Sequence, residues 1–368
     1  MNKKREVDMA ELNVNNFAEY MQEALYGPEG FYTKGGGAGR TRDYITSPEV
    51  GDLFGFVIAP YIDDWYDSLE IDTPAIVVEA GCGPGSLAAS IARASLRNAE
   101  YIDYRLVEIS PAHRYTCEEK LQKISPQFTW SVHESLPECD APTLVIANEL
   151  LDNLVFDIGR TTDVYQQYAP DRIASIPPAL GYFGIHGNID SLTGANAPMD
   201  LGDYRIPLHT GIAGWFSELI QATSNVTDLS LLFFDYVKSV THMQDENWLR
   251  LYANNQRIVG VDNVLTALEG GVRGDITTDV TSEDMHVLLD SEGFSKIVLE
   301  SQEQWLFKNG IDAYCVPVGG GSSYNQLQQW MVGDMQSLIS SSFAHERETL
   351  MDENGLGAFT VITARRAI

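Results

Sequence analysis

Cysteine is scarce in this sequence. The four cysteines among 368 residues are Cys82, Cys117, Cys139 and Cys315, and no two of them form a Cys-x-x-Cys pair. This spacing argues against both a disulfide framework and a zinc site. The seven histidines are scattered and no His-Glu-x-x-His motif occurs. The sequence therefore predicts no protein metal site.

Basic residues are few relative to acidic ones. The chain has 24 lysines and arginines against 52 aspartates and glutamates, a formal net charge of −28. Because such a surface repels phosphates, no nucleic acid is expected as a partner. A basic, arginine-containing protein segment would be tolerated. The same charge also fits a need for solubility or a salty habitat, and both explanations stay open.

Long apolar runs are missing as well. No run approaches the length needed to cross a bilayer, so no membrane partner is expected. The basic start Met1–Arg5 is followed by acidic Glu6, Asp8 and Glu11, not by the apolar core of a signal peptide. A cytoplasmic location is the expectation. The composition, 44% hydrophobic and 21% charged, is that of a globular protein.

The middle of the chain alternates between two patterns. Continuous apolar runs, typical of strands buried on both faces, occur at 75–78, 105–107, 143–147 and 229–234. Helical stretches at 86–97 and 111–124 separate the first three runs. The alternation predicts a doubly wound α/β sheet. Later elements are a helix at Ser282–Asp290 and strands at Lys296–Glu300 and Ala358–Ala364.

Residues 1–70 are interpreted as an N-terminal helical cap segment. A helix is expected over residues 1–25, ending in a turn. A second helix is expected to start at Thr46–Glu49, with Ser47 as N-cap, and to run to about Trp65.

Residues 71–368 are interpreted as the main domain, with two insertions. Residues 154–228 are rich in Pro, Gly, Asn and Asp, and they interrupt the alternation. They are expected to form a lid over the substrate, although Gly214–Ala222 has helical character. Residues 303–357 form the second insertion.

The strongest motif is a glycine turn. Residues 77–87 read Val-Val-Glu-Ala-Gly-Cys-Gly-Pro-Gly-Ser-Leu, so a strand runs into Gly81, Gly83 and Gly85 and a helix follows. The glycines allow a tight turn and close approach of a ligand. A dinucleotide site would place its third glycine at Ser86 and would not favour the acid at Glu79. S-adenosylmethionine (SAM), a cation without phosphate, fits better, and a turn without ligand is the remaining alternative.

A second acid follows the next strand. Glu108 stands 29 residues after Glu79 (108 − 79), and it is followed by Ile109 and Ser110. A carboxylate at this place can accept both ribose hydroxyls of a nucleoside. That role serves NAD and SAM alike, so it supports the fold without choosing the ligand. Ile109 and Ser110 are included in the predicted cofactor site.

The third motif is Asn148-Glu-Leu-Leu-Asp152, after the third apolar run. If a helix starts here, Glu149 and Asp152 share a face. Two carboxylates could hold a guanidinium or act as a general base, so both are candidate catalytic residues. Asn148 is assigned to the cofactor site. The alternative is that Asn148 and Asp152 only cap the helix.

Together these motifs resemble the MidA family of SAM-dependent methyltransferases. The resemblance begins at Gly30-Phe-Tyr32 and Arg42-Asp-Tyr-Ile-Thr-Ser-Pro-Glu-Val50 and continues through the three motifs above. It extends to Phe234-Asp-Tyr236, Gly274-Asp-Ile-Thr-Thr-Asp-Val280 and Gly355-Leu-Gly-Ala-Phe359. It covers nearly the whole chain, in order.

The resemblance implies a class I methyltransferase fold. This is a Rossmann-like, seven-stranded, mostly parallel sheet that ends in an inserted antiparallel strand, here with an N-terminal helical segment and lid regions. It also implies SAM as cofactor and closure of the segment around Thr46–Glu49 over it, with Thr46 and Ser47 as cofactor-binding residues. The mitochondrial family member is an arginine methyltransferase that assists assembly of respiratory complex I, so an arginine of a protein is the expected acceptor.

Three departures from the family pattern fall on the substrate side. Val237 replaces a glycine, Asn153-Leu-Val155 replaces Ala-Leu-Pro, and Arg42 replaces a glycine. Two alternatives therefore stay open: a small-molecule O- or N-methyltransferase, and a non-catalytic SAM-binding assembly factor. An oligomer is compatible with either.

Overall fold

The computed structural model describes residues 17–36, 46–161, 203–315 and 334–367. The helices of these ranges are α1 (Phe17–Tyr26), α2 (Ser47–Val50), α3 (Leu53–Asp67), α4 (Ser86–Ala94), α5 (Pro111–Ile124), α6 (Thr210–Ala222), α7 (Val261–Glu269), α8 (Ser282–Ser291), α9 (Gln302–Lys308) and α10 (Asp334–Leu350). No helix within them is both long enough and apolar enough to span a membrane.

The strands of the same ranges belong to one large and three small sheets. They are β1 (Ala75–Ala80), β2 (Ile102–Val107), β3 (Thr129–His133), β4 (Thr143–Asn148), β5 (Asp157–Arg160), β6 (Arg205–Leu208), β7 (Asp228–Asp235), β8 (Val237–Lys238), β9 (Leu249–Ala253), β10 (Gln256–Val259), β11 (Asp275–Thr278), β12 (Val280–Thr281), β13 (Ser295–Ser301) and β14 (Thr360–Ala367).

The large sheet is the centre of the fold. Its seven strands, counted over the described ranges, have the order β13-β14-β7-β4-β1-β2-β3. Strands β3, β2, β1, β4 and β7 are parallel, and β14 is antiparallel to both β7 and β13. Strands β1 and β7 are buried along their whole length, as expected for runs without polar alternation. The predicted class I methyltransferase fold is confirmed.

Helices cover both faces of this sheet. On one face α3 and α4 pack with Cys117 and Leu121 of α5. On the other face α6 and α8 bury Ile212, Phe216 and Met285 against the strands. Helix α6 lies inside the predicted insertion 154–228, yet it packs as part of the sheet's helical layer. The domain boundaries and lid roles stay predictions. Residues 1–16, 37–45, 162–202, 316–333 and 368, which include Arg42 and parts of both predicted insertions, lie outside the described residues.

A third hydrophobic cluster joins helix α1 of the predicted N-terminal segment to strands that the sequence patterns did not assign, and we call this unit the cap. Strands β9, β10 and β11 form a small antiparallel sheet. Helix α1 contributes Phe17 and Met21 to this cluster, which also contains Phe156 and Trp248. Strands β5 and β6 follow β4 in the chain, while β8–β11 follow β7. The cap is therefore connected to the carboxyl ends of the central strands, where ligands bind in open α/β sheets.

The expected single helix from Thr46 to about Trp65 is wrong in two details. Thr46, not Ser47, is the N-cap of α2, and α2 ends at Val50. The amide of Leu53 donates to the Glu346 carboxylate at 2.9 Å, and that carboxylate occupies the space beside Gly51. A distant side chain thus satisfies the backbone where a continuous helix would need its own carbonyl. The helix expected at 86–97 is also shorter in the structure. Helix α4 ends at Ala94, because Ser95 adopts a left-handed backbone.

Candidate functional site

A cavity of about 510 Å³ lies at the carboxyl ends of β1, β2 and β4. Its volume is within the range of roughly 300–1,000 Å³ that is usual for ligand sites. The predicted site residues that line it are Thr46, Glu79, Gly81, Gly83, Glu108, Ile109, Asn148 and Glu149. The predicted site residues that lie outside its lining are Ser47, Gly85, Ser110 and Asp152.

The three glycines of the turn have different physical roles. All three are left-handed, with φ of 69° at Gly81, 53° at Gly83 and 76° at Gly85. A Cβ on Gly85 would lie 2.5 Å from the Sγ of Cys117, so this glycine allows α4 and α5 to pack. A Cβ on Gly83 would meet nothing within 4 Å. Gly83 therefore leaves its backbone open to a ligand in the cavity.

Glu79 lies near the end of β1, two residues before the first glycine of the turn. It is 4% exposed, and its Oε2 accepts a hydrogen bond from the Tyr104 hydroxyl at 2.7 Å. Burial raises the pKa of Glu79 to about 7, against the opposing effects of that hydroxyl and of Lys120. Glu79 lines the cavity, and its direct contact with a cofactor stays a prediction.

Glu108 connects the turn to the end of β2. Its Oε2 accepts the Gly83 amide at 2.9 Å and its Oε1 accepts the Ser110 amide at 2.7 Å. Each carboxylate oxygen can accept a further hydrogen bond. The carboxylate thus fixes the glycine turn and still offers the lone pairs that two ribose hydroxyls require.

The two residues after Glu108 face in different directions. Ile109 is 52% exposed at the edge of the cavity, where it could cover a flat apolar ring. The Ser110 hydroxyl instead accepts from the His113 amide at 3.5 Å as the N-cap of α5. Ser47 is likewise turned away, and its hydroxyl donates to Oε1 of Gln302 at 3.0 Å. Ser47 and Ser110 therefore hold elements in place beside the site.

Glu149 stands at the cavity wall directly after β4. Its backbone is left-handed, with φ of 51°, a conformation that is uncommon outside glycine. The Asn148 amide group donates to its Oε1 at 3.1 Å, and the Ser47 backbone amide also donates to the carboxyl. Burial raises the pKa of Glu149 to about 8 despite these bonds. A partner of positive charge would restore the carboxylate form.

Asp152, three residues after Glu149, is not among the residues that line the cavity. A 3₁₀ turn at Leu151–Asn153 replaces the expected helix, so the shared helical face does not form. Asp152 is 2% exposed, and burial and the neighbouring Asp235 raise its pKa well above the ordinary value. Asp235 itself accepts the Leu151 amide at 2.8 Å. Asp235 thereby stabilises the turn that follows Glu149, and a catalytic role for Asp152 stays a prediction.

Several lining residues were missed by sequence reasoning. Tyr26 and Tyr32 stack with ring centroids 5.7 Å apart, and both line the cavity. The Tyr26 hydroxyl donates to the Asn153 carbonyl at 2.8 Å, and the Tyr32 hydroxyl to Oδ1 of Asp275 at 2.8 Å. Trp215 of α6 also lines the cavity. For this aromatic part of the lining, the one sequence signal was the segment Gly30-Phe-Tyr32 of the family resemblance.

The cavity lining is rich in acidic side chains. The acids that line it are Glu49, Glu79, Glu108, Glu134, Glu149 and Glu218. None of the described lining residues is a lysine or an arginine. Such a surface favours cations and disfavours phosphate or carboxylate ligands.

Comparison with known proteins relates the chain to methyltransferases. A family model described as S-adenosyl-L-methionine-dependent methyltransferase matches residues 57–296. The mitochondrial protein arginine methyltransferase NDUFAF7 of Xenopus tropicalis is 30% identical over 192 residues, which are 45% of this chain and 44% of that protein. The Drosophila melanogaster homologue is 31% identical over 124 residues, 33% of this chain and 26% of that protein. The chain thus spans less than half the length of these curated relatives.

A solved structure resembles the fold over most of the chain. It is the crystal structure of a Burkholderia thailandensis protein bound to S-adenosyl-homocysteine, with a TM-score of 0.63. The match covers 95% of this chain and 87% of that one at 20% identity. At this identity the similarity bears on the fold alone.

Proposed function

We propose, because this chain belongs to the MidA family of SAM-dependent methyltransferases, that it transfers a methyl group from SAM to an arginine side chain of a protein. The observation that carries the acceptor half of this proposal is the presence of six glutamates, and of no lysine or arginine, among the described residues that line the cavity. Both SAM and a guanidinium are cations, and a guanidinium pairs well with carboxylates. The arginine methyltransferases named above support the same choice of acceptor.

The cofactor half of the site is built on the glycine turn. The open backbone at Gly83, the Glu108 carboxylate and the exposed Ile109 side chain are the groups that would hold SAM. When bound, SAM supplies an activated methyl group on a sulfonium. Since that leaving group is already good, the protein mainly needs to orient the acceptor and exclude water.

The acceptor half is built around Glu149. Its carboxyl is held by Asn148 and by the Ser47 amide, so it has a fixed position from which to grip a guanidinium. The nitrogen that receives the methyl group must also lose a proton, which an ionised Glu149 can accept directly or through water. Tyr26 and Tyr32 supply an aromatic wall against which a planar guanidinium can lie.

Incubation of the protein with isotopically labelled SAM and a host lysate tests the proposal. We expect label on arginine residues of one or a few proteins, located by mass spectrometry. Label found only on a small metabolite would contradict the proposal and favour the small-molecule methyltransferase. No labelled product, together with tight SAM binding, would favour the non-catalytic assembly factor.

We expect kcat/KM for the acceptor to rise as the pH increases through about 8. The raised pKa of Glu149 means that the proton is mostly present at pH 7 and mostly lost at about pH 9. Only the ionised form pairs with a guanidinium or accepts its proton, so activity follows the ionised fraction. Initial rates at limiting acceptor concentration measure this. A profile that falls over the same interval would remove Glu149 from this role.

A further inference from the structure

One face of α6 forms a wall of the cavity. Gly211, Gly214, Trp215 and Glu218 all line the cavity, and their spacing of three and four residues places them on one side of a helix. The neighbouring side buries Ile212, Phe216 and Leu219 against the central sheet. The helix is therefore fixed by its core side while its glycine-containing side faces the site.

Gly214 is not required by the packing of the protein. Glycine inside a helix is destabilising relative to alanine, and a Cβ at this position would meet nothing within 4 Å. Gly211 is different, because its Cβ would lie 2.5 Å from the Val155 carbonyl oxygen. Helix α6 thus has a glycine that its own packing does not require, at the point where its backbone lines the cavity. Such a position allows a ligand to approach the helix closely.

Asn153 supplies a second, independent indication of a ligand. It is 7% exposed and lines the same cavity. Its Nδ2 donates to Oδ1 of Asp152 at 3.2 Å, whereas no described group donates to its Oδ1. A buried oxygen without a donor is costly. An N–H or O–H group of a molecule bound in the cavity would supply the donor that this oxygen lacks.

Glu218 is the residue closest to the C-terminal end of α6 that lines the cavity. Its side chain is exposed at the mouth, and it forms no ion pair with any residue in the described ranges. Half-buried Trp215 lies three residues, about one helical turn, before Glu218 on the same face. A molecule that reaches both Asn153 and Glu218 must extend from the buried part of the site to the surface. A chain fits this requirement better than a compact metabolite.

We propose that the acceptor is an extended polypeptide that crosses α6 at Gly214. It donates an N–H to Oδ1 of Asn153 and places a second positive charge, close in sequence to the methylated residue, against Glu218. Trp215 covers the apolar part of that second basic side chain. This inference rests on the proposed function and adds which part of the cavity selects the acceptor.

Substitution at Gly214 separates stability from acceptor binding. Gly214→Ala is expected to raise the thermal midpoint by roughly 2 °C while slowing the labelling of protein by SAM. Gly214→Trp fills the crossing point and is expected to reduce labelling at least about fiftyfold, with SAM affinity unchanged by calorimetry. Ser217→Trp is the matched control, since Ser217 is exposed on the same helix outside the lining. It should retain wild-type labelling.

A binding experiment tests the second charge. The probes are short glycine-rich synthetic peptides with one arginine and either lysine or alanine two residues away, titrated in the presence of S-adenosylhomocysteine. Glu218→Gln should weaken the lysine peptide about fivefold to tenfold and leave the alanine peptide unaffected. Equal affinity of wild type for both peptides would overturn the role of Glu218.

The outcomes distinguish this inference from the proposed function. Protein labelling that Gly214→Trp leaves undiminished would overturn the crossing point and leave protein arginine methylation intact. Labelling of no protein by the wild type, despite SAM binding, would overturn both. Labelling lost in Gly214→Trp and retained in Ser217→Trp supports both.

Discussion

Glu149→Gln is expected to reduce methyl transfer by at least about a thousandfold, equivalent to roughly 4 kcal/mol, while SAM affinity stays within twofold. Glutamine keeps the shape of the side chain and can replace its neutral form, which predominates at pH 7 because burial raises the pKa of Glu149 to about 8. The bond from the residue 149 amide to the Phe234 carbonyl is also kept. What is lost is the charge that grips a guanidinium and the group that can accept its proton.

Asp284→Asn is the matched control for this substitution. Asp284 is 3% exposed, and burial raises its pKa to about 7. It therefore resembles Glu149 as a buried carboxyl, yet it lies outside the cavity lining. We expect it to retain both SAM binding and transfer. Calorimetry with SAM and mass spectrometry of the labelled protein measure the two properties in parallel. Arginine methylation that persists in Glu149→Gln would refute the guanidinium grip.

The central sheet could be predicted because its strands carry a local signal. The runs at 75–78 and 143–147 correspond to β1 and β4, and the helix expected at 111–124 is α5. Continuous apolar runs in an alternating chain leave little choice besides a parallel sheet covered on both faces. The family resemblance predicted an inserted antiparallel strand, and the structure shows that it is β14, between β7 and β13. No local pattern specifies strand order.

The cap could not be predicted from local patterns. Its cluster joins Phe17, Phe156 and Trp248, which lie in three separate parts of the chain. The break between α2 and α3 has a similar origin, because the carboxylate that receives the Leu53 amide belongs to Glu346, 293 residues further along. Such tertiary contacts override a helical pattern without leaving a trace in the neighbouring sequence.

The site residues were predicted best where one residue both shapes a turn and is expected to bind the cofactor. Gly83 and Glu108 were selected for their places after β1 and β2, and the structure joins them by a hydrogen bond of 2.9 Å. Ser110 and Ser47 were selected with them but point elsewhere. Their motif positions fix the backbone path and not the side-chain direction. The cytoplasmic location and the acceptor stay predictions for a related reason, since neither is encoded in the fold.

Gly83→Val is expected to reduce SAM affinity at least about a hundredfold, a change of roughly 2.7 kcal/mol. The added side chain would project into the open space next to the turn, which the cofactor is expected to occupy. Valine also strains a backbone with φ of 53°, at a cost of about 1–3 kcal/mol. The Glu108 carboxylate, bonded to the Gly83 amide, would be displaced with it. Calorimetry measures the affinity, and circular dichroism reports whether the fold is retained.

Gly310→Val separates backbone strain from loss of the ligand space. Gly310 has φ of 80°, and its Cβ would also meet nothing within 4 Å, but it lies outside the cavity lining. Both variants should therefore lose comparable thermal stability, because a β-branched residue is disfavoured in the left-handed region. Only Gly83→Val should lose SAM binding. If folded Gly83→Val binds SAM as tightly as Gly310→Val does, the cofactor does not lie against the glycine turn, and the assignment of this cavity to SAM fails.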